Sequence, residues 1–125
     1  MIAANELRIG NWVNINVECK DGTFDGNYQI EEIREDVILF NKGIHAAYRM
    51  LYPIPLTEER LLRCGFEKAG IYYCMGGNED GGIVLKLNDS MYFPIITSFG
   101  IGIKYLHQLQ NLYFALKGKE LEVKL

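Results

Sequence analysis

The sequence predicts an α+β fold, antiparallel and strand-rich, on three observations. Short segments in which apolar and polar residues alternate recur along the chain, with the period of a half-buried strand. Glycine-bearing turn signals separate them. Only two stretches carry helix signals: 57–64, which has a cap and a stop, and 105–117, where apolar residues recur at helical spacing. The expected order is a small N-terminal β-meander or partly closed barrel, followed by an α-β-β-β-α-β part.

Asn5 to Gly10 is a short lead-in that ends at a glycine. In Trp12-Val13-Asn14-Ile15-Asn16-Val17, the residues Val13, Ile15 and Val17 form an apolar face, while Asn14 and Asn16 share the other with Trp12. Lys20-Asp21-Gly22 and Asp25-Gly26-Asn27 both read as turns. Tyr28 to Ile33 resumes as a strand, and the slip in alternation between Ile30 and Ile33 predicts a bulge. Val37-Ile38-Leu39-Phe40 is a third strand, closed by Asn41-Lys42-Gly43. Beyond it, Tyr48 to Tyr52 reads as a strand or an extended segment. Pro53-Ile54-Pro55 is extended, because each proline fixes its own φ and restricts the residue before it.

Thr57 caps a helix from Glu58 to Cys64, and Glu58 and Glu59 suit the positive end of its dipole. Gly65 is its C′ residue, and Leu61, Leu62 and Phe66 are its expected core contacts. Ile71–Met75 and Ile83–Leu87 are strands on either side of a Gly76–Gly82 loop. Asn88-Asp89-Ser90 turns the chain into Met91–Ile96, an edge or bulged strand because Pro94 has no N–H to give a ladder. Ser98–Gly102 is a loop or broken strand. In the second helix, Leu106, Leu109, Leu112, Tyr113 and Leu116 recur at helical spacing, and Gly118 ends it. His107, Gln108, Gln110 and Asn111 fill much of its other surface. Glu120–Leu125 alternates cleanly and reads as a last strand with one wet face.

A chain of 125 residues fits one compact domain, 1–125, with room for division into a β-rich lobe (1–52) and an α+β lobe (57–125) at the prolines. Net charge is −3, carried by the first half: residues 1–56 hold eight acidic and five basic side chains, residues 57–125 eight of each. Neither half has the basic excess that drives phosphate binding, so charge disfavours nucleic acid. Cys19, Cys64 and Cys74 match no disulfide or zinc spacing and read as reduced thiols. The start has no basic region followed by an apolar run, and no apolar stretch approaches the ~18 residues of a membrane span. The expected location is the cytoplasm, with no membrane partner.

Three segments carry a family resemblance: Asn5-Glu6-Leu7-Arg8-Ile9-Gly10-Asn11-Trp12-Val13, then Pro53 through Phe66, then Tyr105 through Gly118. In these the chain resembles a family of small proteins from prophages and mobile elements of Bacteroidetes-type bacteria. The resemblance implies a phage-derived accessory protein in the cytoplasm. It carries no catalytic residue over to any position here.

The soft ligands Cys19, Cys64, Cys74, His45 and His107 lie more than four residues from one another, so no metal knuckle forms locally. A cysteine nucleophile needs His45 or His107 brought beside a thiol by the fold, and Cys64, at the negative end of its helix, is poorly placed for a thiolate. Gly100-Ile101-Gly102 precedes a helix, but Tyr105 stands where a dinucleotide fingerprint needs its third glycine. The Gly76–Gly82 loop lacks the ligand spacing of a calcium site. No metal and no cofactor are therefore expected.

Two groups of residues remain as binding candidates. Tyr48, Arg49 and Tyr52 set aromatic rings beside a cation, a pairing enriched where partners bind. His107, Gln108 and Asn111 lie on a helix face poor in charge, which suits contact with another strand, a second subunit or a partner. The expectation is a non-enzymatic module that binds a protein partner or forms a homodimer. The alternative is a nucleic-acid-binding accessory protein that uses the N-terminal β-lobe, with Trp12 as a stacking platform.

Overall fold

Alternation and turns shape the first half of the chain. The structure, a computed structural model, describes residues 2, 4–76, 82–95 and 102–125. Trp12–Cys19 (β1) and Gly22–Ile33 (β2) form a hairpin around Lys20-Asp21, with Cys19 opposite Gly22 and Trp12 opposite Gln29. Ile38–Phe40 (β3), His45–Ala46 (β4) and Leu51–Tyr52 (β5) complete an antiparallel sheet of order β4-β3-β2-β1-β5. It is a five-stranded half-barrel. Register slips between Ile30 and Glu32, where the broken alternation predicts a bulge. Val13 and Ile15 are buried, as the alternation requires. They join Ile2, Ile30, Ile38, Phe40, Ala46 and Leu51 in one apolar cluster.

One expected turn is absent. Asp25-Gly26-Asn27 lies inside β2, not at a reversal. Gly26 stands between Phe24 and Tyr28 on one face, and those two rings stack with centroids 5.9 Å apart. A Cβ on Gly26 would lie 2.8 Å from the Tyr28 ring. The glycine makes room for a ring and does not reverse the chain.

Glu58–Arg63 (α1) opens the next part, with Thr57 Oγ1 accepting from the Arg60 N–H at 3.2 Å. Gly65 takes φ +103 after it, as a helix-ending glycine does. Leu61 and Phe66 are buried, but Leu62 is exposed, since one turn and a half of helix presents a single narrow face. Glu67–Ala69 (β6), Tyr72–Met75 (β7), Ile83–Asn88 (β8) and Met91–Pro94 (β9) form a second antiparallel sheet in sequence order. β6 is three exposed residues with no alternation to announce it. β9 is an edge strand, the place a proline tolerates. Of the expected loops, 77–81 and 96–101 lie outside the described residues, so the Gly76–Gly82 loop, the Ser98–Gly102 segment and the Gly100-Ile101-Gly102 motif are covered only at their ends.

Leu106–Lys117 (α2) ends at Gly118, whose N–H reaches the Phe114 carbonyl at 2.8 Å. Its buried side chains are Leu106, His107, Leu109 and Gln110, while Phe114 and Leu116 are exposed. The amide-rich, charge-poor face, which the sequence suits to contact with another strand, a second subunit or a partner, is thus partly interior to the chain itself. The residues after α2 correct a second expectation. Glu120–Leu125 forms no strand, although Leu121 is buried. Alternation records which side chains are buried, and a strand also needs a partner edge.

The chain divides into two compact units: Met1–Ile54 with Tyr105–Leu112, and Pro55–Lys104 with Tyr113–Leu125. The half-barrel and the first half of α2 lie in unit 1. The four-stranded sheet, α1 and the C-terminal tail lie in unit 2.

Candidate functional site

The β1–β2 hairpin outruns the sheet that holds it. On the far side of β1, β5 pairs only with Asn14 and Ile15. On the far side of β2, β3 pairs only from Ile30 onward. Residues 16–25 therefore form a two-stranded arm with no third strand on either edge among the described residues. The register gives the arm two faces: Val17, Cys19 and Phe24 on one, Asn16, Glu18, Thr23 and Asp25 on the other.

The apolar face of this arm opens on a shallow hollow of about 340 Å³ in unit 1. Ile15, Val17, Phe24, Ile44 and Met50 make most of its wall, and Cys19 and His45 also line it. The fold thus brings one thiol and one imidazole to a common hollow, but no hydrogen bond joins them and no carboxylate lines the wall. Among the described residues, no group of three His, Cys, Asp or Glu side chains has the geometry to hold a metal ion.

The opposite face is polar. Asn14 donates through Nδ2 to Asp25 Oδ1 at 2.8 Å and to Asn27 Oδ1 at 3.1 Å. Trp12, Asn16 and Glu18 share this side of β1, and Tyr52, paired with Asn14, stands on it from β5. Its charges, Glu18 and Asp25, are acidic.

The residues singled out from sequence fall in different places. Tyr48 is half-buried against the unit 1 core, and its hydroxyl donates to the Arg34 carbonyl at 3.1 Å. Arg49 is exposed, and Tyr52 is 45 % exposed on the polar face. Tyr48 and Tyr52 thus serve opposite sides of the half-barrel.

The helix-face residues act inside unit 1. Gln108 Oε1 accepts from the Tyr105 N–H at 3.1 Å, the reach-back half of a capping box. Asn111 Oδ1 accepts from Asn11 Nδ2 at 2.9 Å and from Arg8 Nε at 3.2 Å, and its Nδ2 donates to the Glu6 carbonyl at 2.9 Å. Gln110, 1 % exposed, accepts from the Trp12 N–H at 2.8 Å and donates to the Gly10 carbonyl at 2.9 Å. These amides satisfy the Glu6 and Gly10 carbonyls of the lead-in and the Trp12 N–H at the start of β1. His107 is equally buried, stacks on Tyr105 with centroids 6.0 Å apart, and has neither ring nitrogen hydrogen-bonded.

Unit 2 holds a polar cluster that no sequence spacing announces. Glu58 Oε1 accepts from Lys68 Nζ at 2.8 Å and from the Tyr73 hydroxyl at 3.3 Å. Tyr73 packs edge-on against Tyr92, with centroids 5.4 Å apart. Lys68, by hydrogen bond and charge, holds the Glu58 carboxyl below its ordinary value, and Glu58 raises Lys68 in return. Burial pushes both phenols up, which makes them poor proton donors at neutral pH. Burial also raises the Cys64 thiol, against the backbone hydrogen bond it receives from Lys124. The cluster ties α1 to β6 and β7.

Among the described residues, no helix is long and apolar enough to cross a membrane. No family model, no curated protein and no solved structure matches this chain.

Proposed function

We infer that unit 1 is a non-enzymatic protein-binding module that captures an extended segment of a partner along the β1–β2 arm. The observation that carries this reading is the arm itself: strand edges with no third strand among the described residues, beside an apolar hollow. An added strand gains main-chain hydrogen bonds from such an edge, and alternate side chains find a pocket. Here the pocket takes apolar side chains. The other face of the arm, with Glu18 and Asp25, suits basic ones. The matching occupant is an extended segment that alternates apolar and basic residues. The three-segment resemblance supports encoding by a prophage or mobile element, with this module as an accessory protein.

The nucleic-acid alternative rests on Trp12, which is half-buried and shares its face with Glu18 and Asp25, the wrong sign for phosphate. The test is titration of the full chain with a synthetic alternating valine–lysine octapeptide, followed by backbone amide shifts. Shifts confined to residues 16–25 and 43–50, lost in Phe24→Asp, are the expected result. Unmoved arm amides overturn the reading. A dimer by light scattering that Phe24→Asp dissociates would make the occupant a second copy.

A further inference from the structure

Among the described residues of unit 1, His107 is the polar side chain that the fold buries without a partner. It is 1 % exposed, and both ring nitrogens lack a hydrogen bond. A buried imidazole with no acceptor is tolerated only while neutral, since burying an unpaired cation costs far more than burying the neutral ring. Its position gives that constraint a consequence. His107 lies in the first turn of α2, between Leu106 and Leu109, which are also buried, and just ahead of the Gln110 and Asn111 amides that satisfy the lead-in.

The charged and titratable groups of the surrounding elements do not remove the constraint. The 3₁₀ turn Ala4–Glu6 brings Glu6, whose field favours the protonated ring but which makes no hydrogen bond to it. Arg8, in the segment that follows, is turned to Asn111 and to the Ile9 and Gln110 carbonyls. The lead-in of α2 brings Tyr105, which stacks on the ring and offers no acceptor to its nitrogens.

We propose that His107 is an acid-sensitive latch, holding the first two turns of α2 in unit 1 while neutral and expelling them when it takes a proton. The sign follows from linkage. Burial, the larger influence, holds the imidazole below its ordinary 6.5, and Glu6 opposes it. The opened helix, with the ring in water, therefore binds the proton more readily. The latch is fully closed above pH ~6.5 and loosens as pH falls below that value. Between pH 7.5 and 5.5 the opening equilibrium then rises about tenfold, provided the buried ring resists protonation over that range.

The experiment is amide hydrogen exchange on the full chain at both pH values, corrected for intrinsic exchange and read at Leu109, Gln110 and Asn111. The imidazole is followed by NMR alongside, with His45→Gln used to assign it. The expected result is an about tenfold loss of protection in the wild type and in His45→Gln. His107→Phe, which keeps a ring against Tyr105, should show no pH-dependent loss. A His107 ring titrating at or above 6.5, or wild-type protection that does not change with pH, overturns the proposal. The ring titration requires no variant to fold.

Discussion

Glycine and glutamine residues show at the smallest scale how side chains acquire roles that their type alone does not announce. Gly26 sits in a sequence that reads as a turn, yet it is extended chain beneath an aromatic ring. Replacing it with alanine drives a methyl group into the Tyr28 ring, at a cost of about 1–2 kcal/mol, to be measured by urea unfolding. In a Tyr28→Ala background the same substitution should cost far less, because the clash is gone. Equal costs in the two backgrounds would mean that Gly26 acts through backbone freedom alone. Gln110 makes the complementary case. It is a polar residue on a helix, and it closes two backbone groups, the Gly10 carbonyl of the lead-in and the Trp12 N–H at the start of β1.

Among the elements, the β8–β9 hairpin follows its turn chemistry closely but keeps some strain. Asn88 pairs with Met91, and the two residues between them, Asp89 and Ser90, take φ of +50 and +66. Positive φ at both positions is the requirement of a type I′ turn. Aspartate adopts that region more readily than serine, and glycine adopts it at no steric cost. Ser90→Gly should therefore stabilise the protein by about 1 kcal/mol, seen as a higher urea midpoint with an unchanged slope. A lower midpoint would mean that the Ser90 side chain contributes more than its backbone costs. The β1–β2 arm is the contrasting element: its turn is equally short, but its strands continue past every neighbour that pairs with them.

For the molecule as a whole, the C-terminal tail belongs to unit 2 without joining its sheet. Leu121 is buried, and the Lys124 N–H reaches the Cys64 sulfur. Leu121→Ala should cost about 2–3 kcal/mol by chemical denaturation. Amide protection should fall in β7 and β8 and be retained in β1 and β2, which lie in unit 1. Loss of protection across both units would show that they unfold together.

By itself the sequence determined the strand-rich α+β class, the β1 faces, the bulge in β2, the Thr57 cap and the extent of α2. Each depends on period, capping or turn chemistry within a few neighbouring residues. Only the tertiary structure decided that the alternating tail forms no strand and that Gly26 accommodates a ring. It also decided that Gln110 and Asn111 face inward, and that the β1–β2 arm overhangs a hollow reached by Cys19 and His45. These depend on which distant segment arrives at a given surface, and local periodicity carries no record of that arrival.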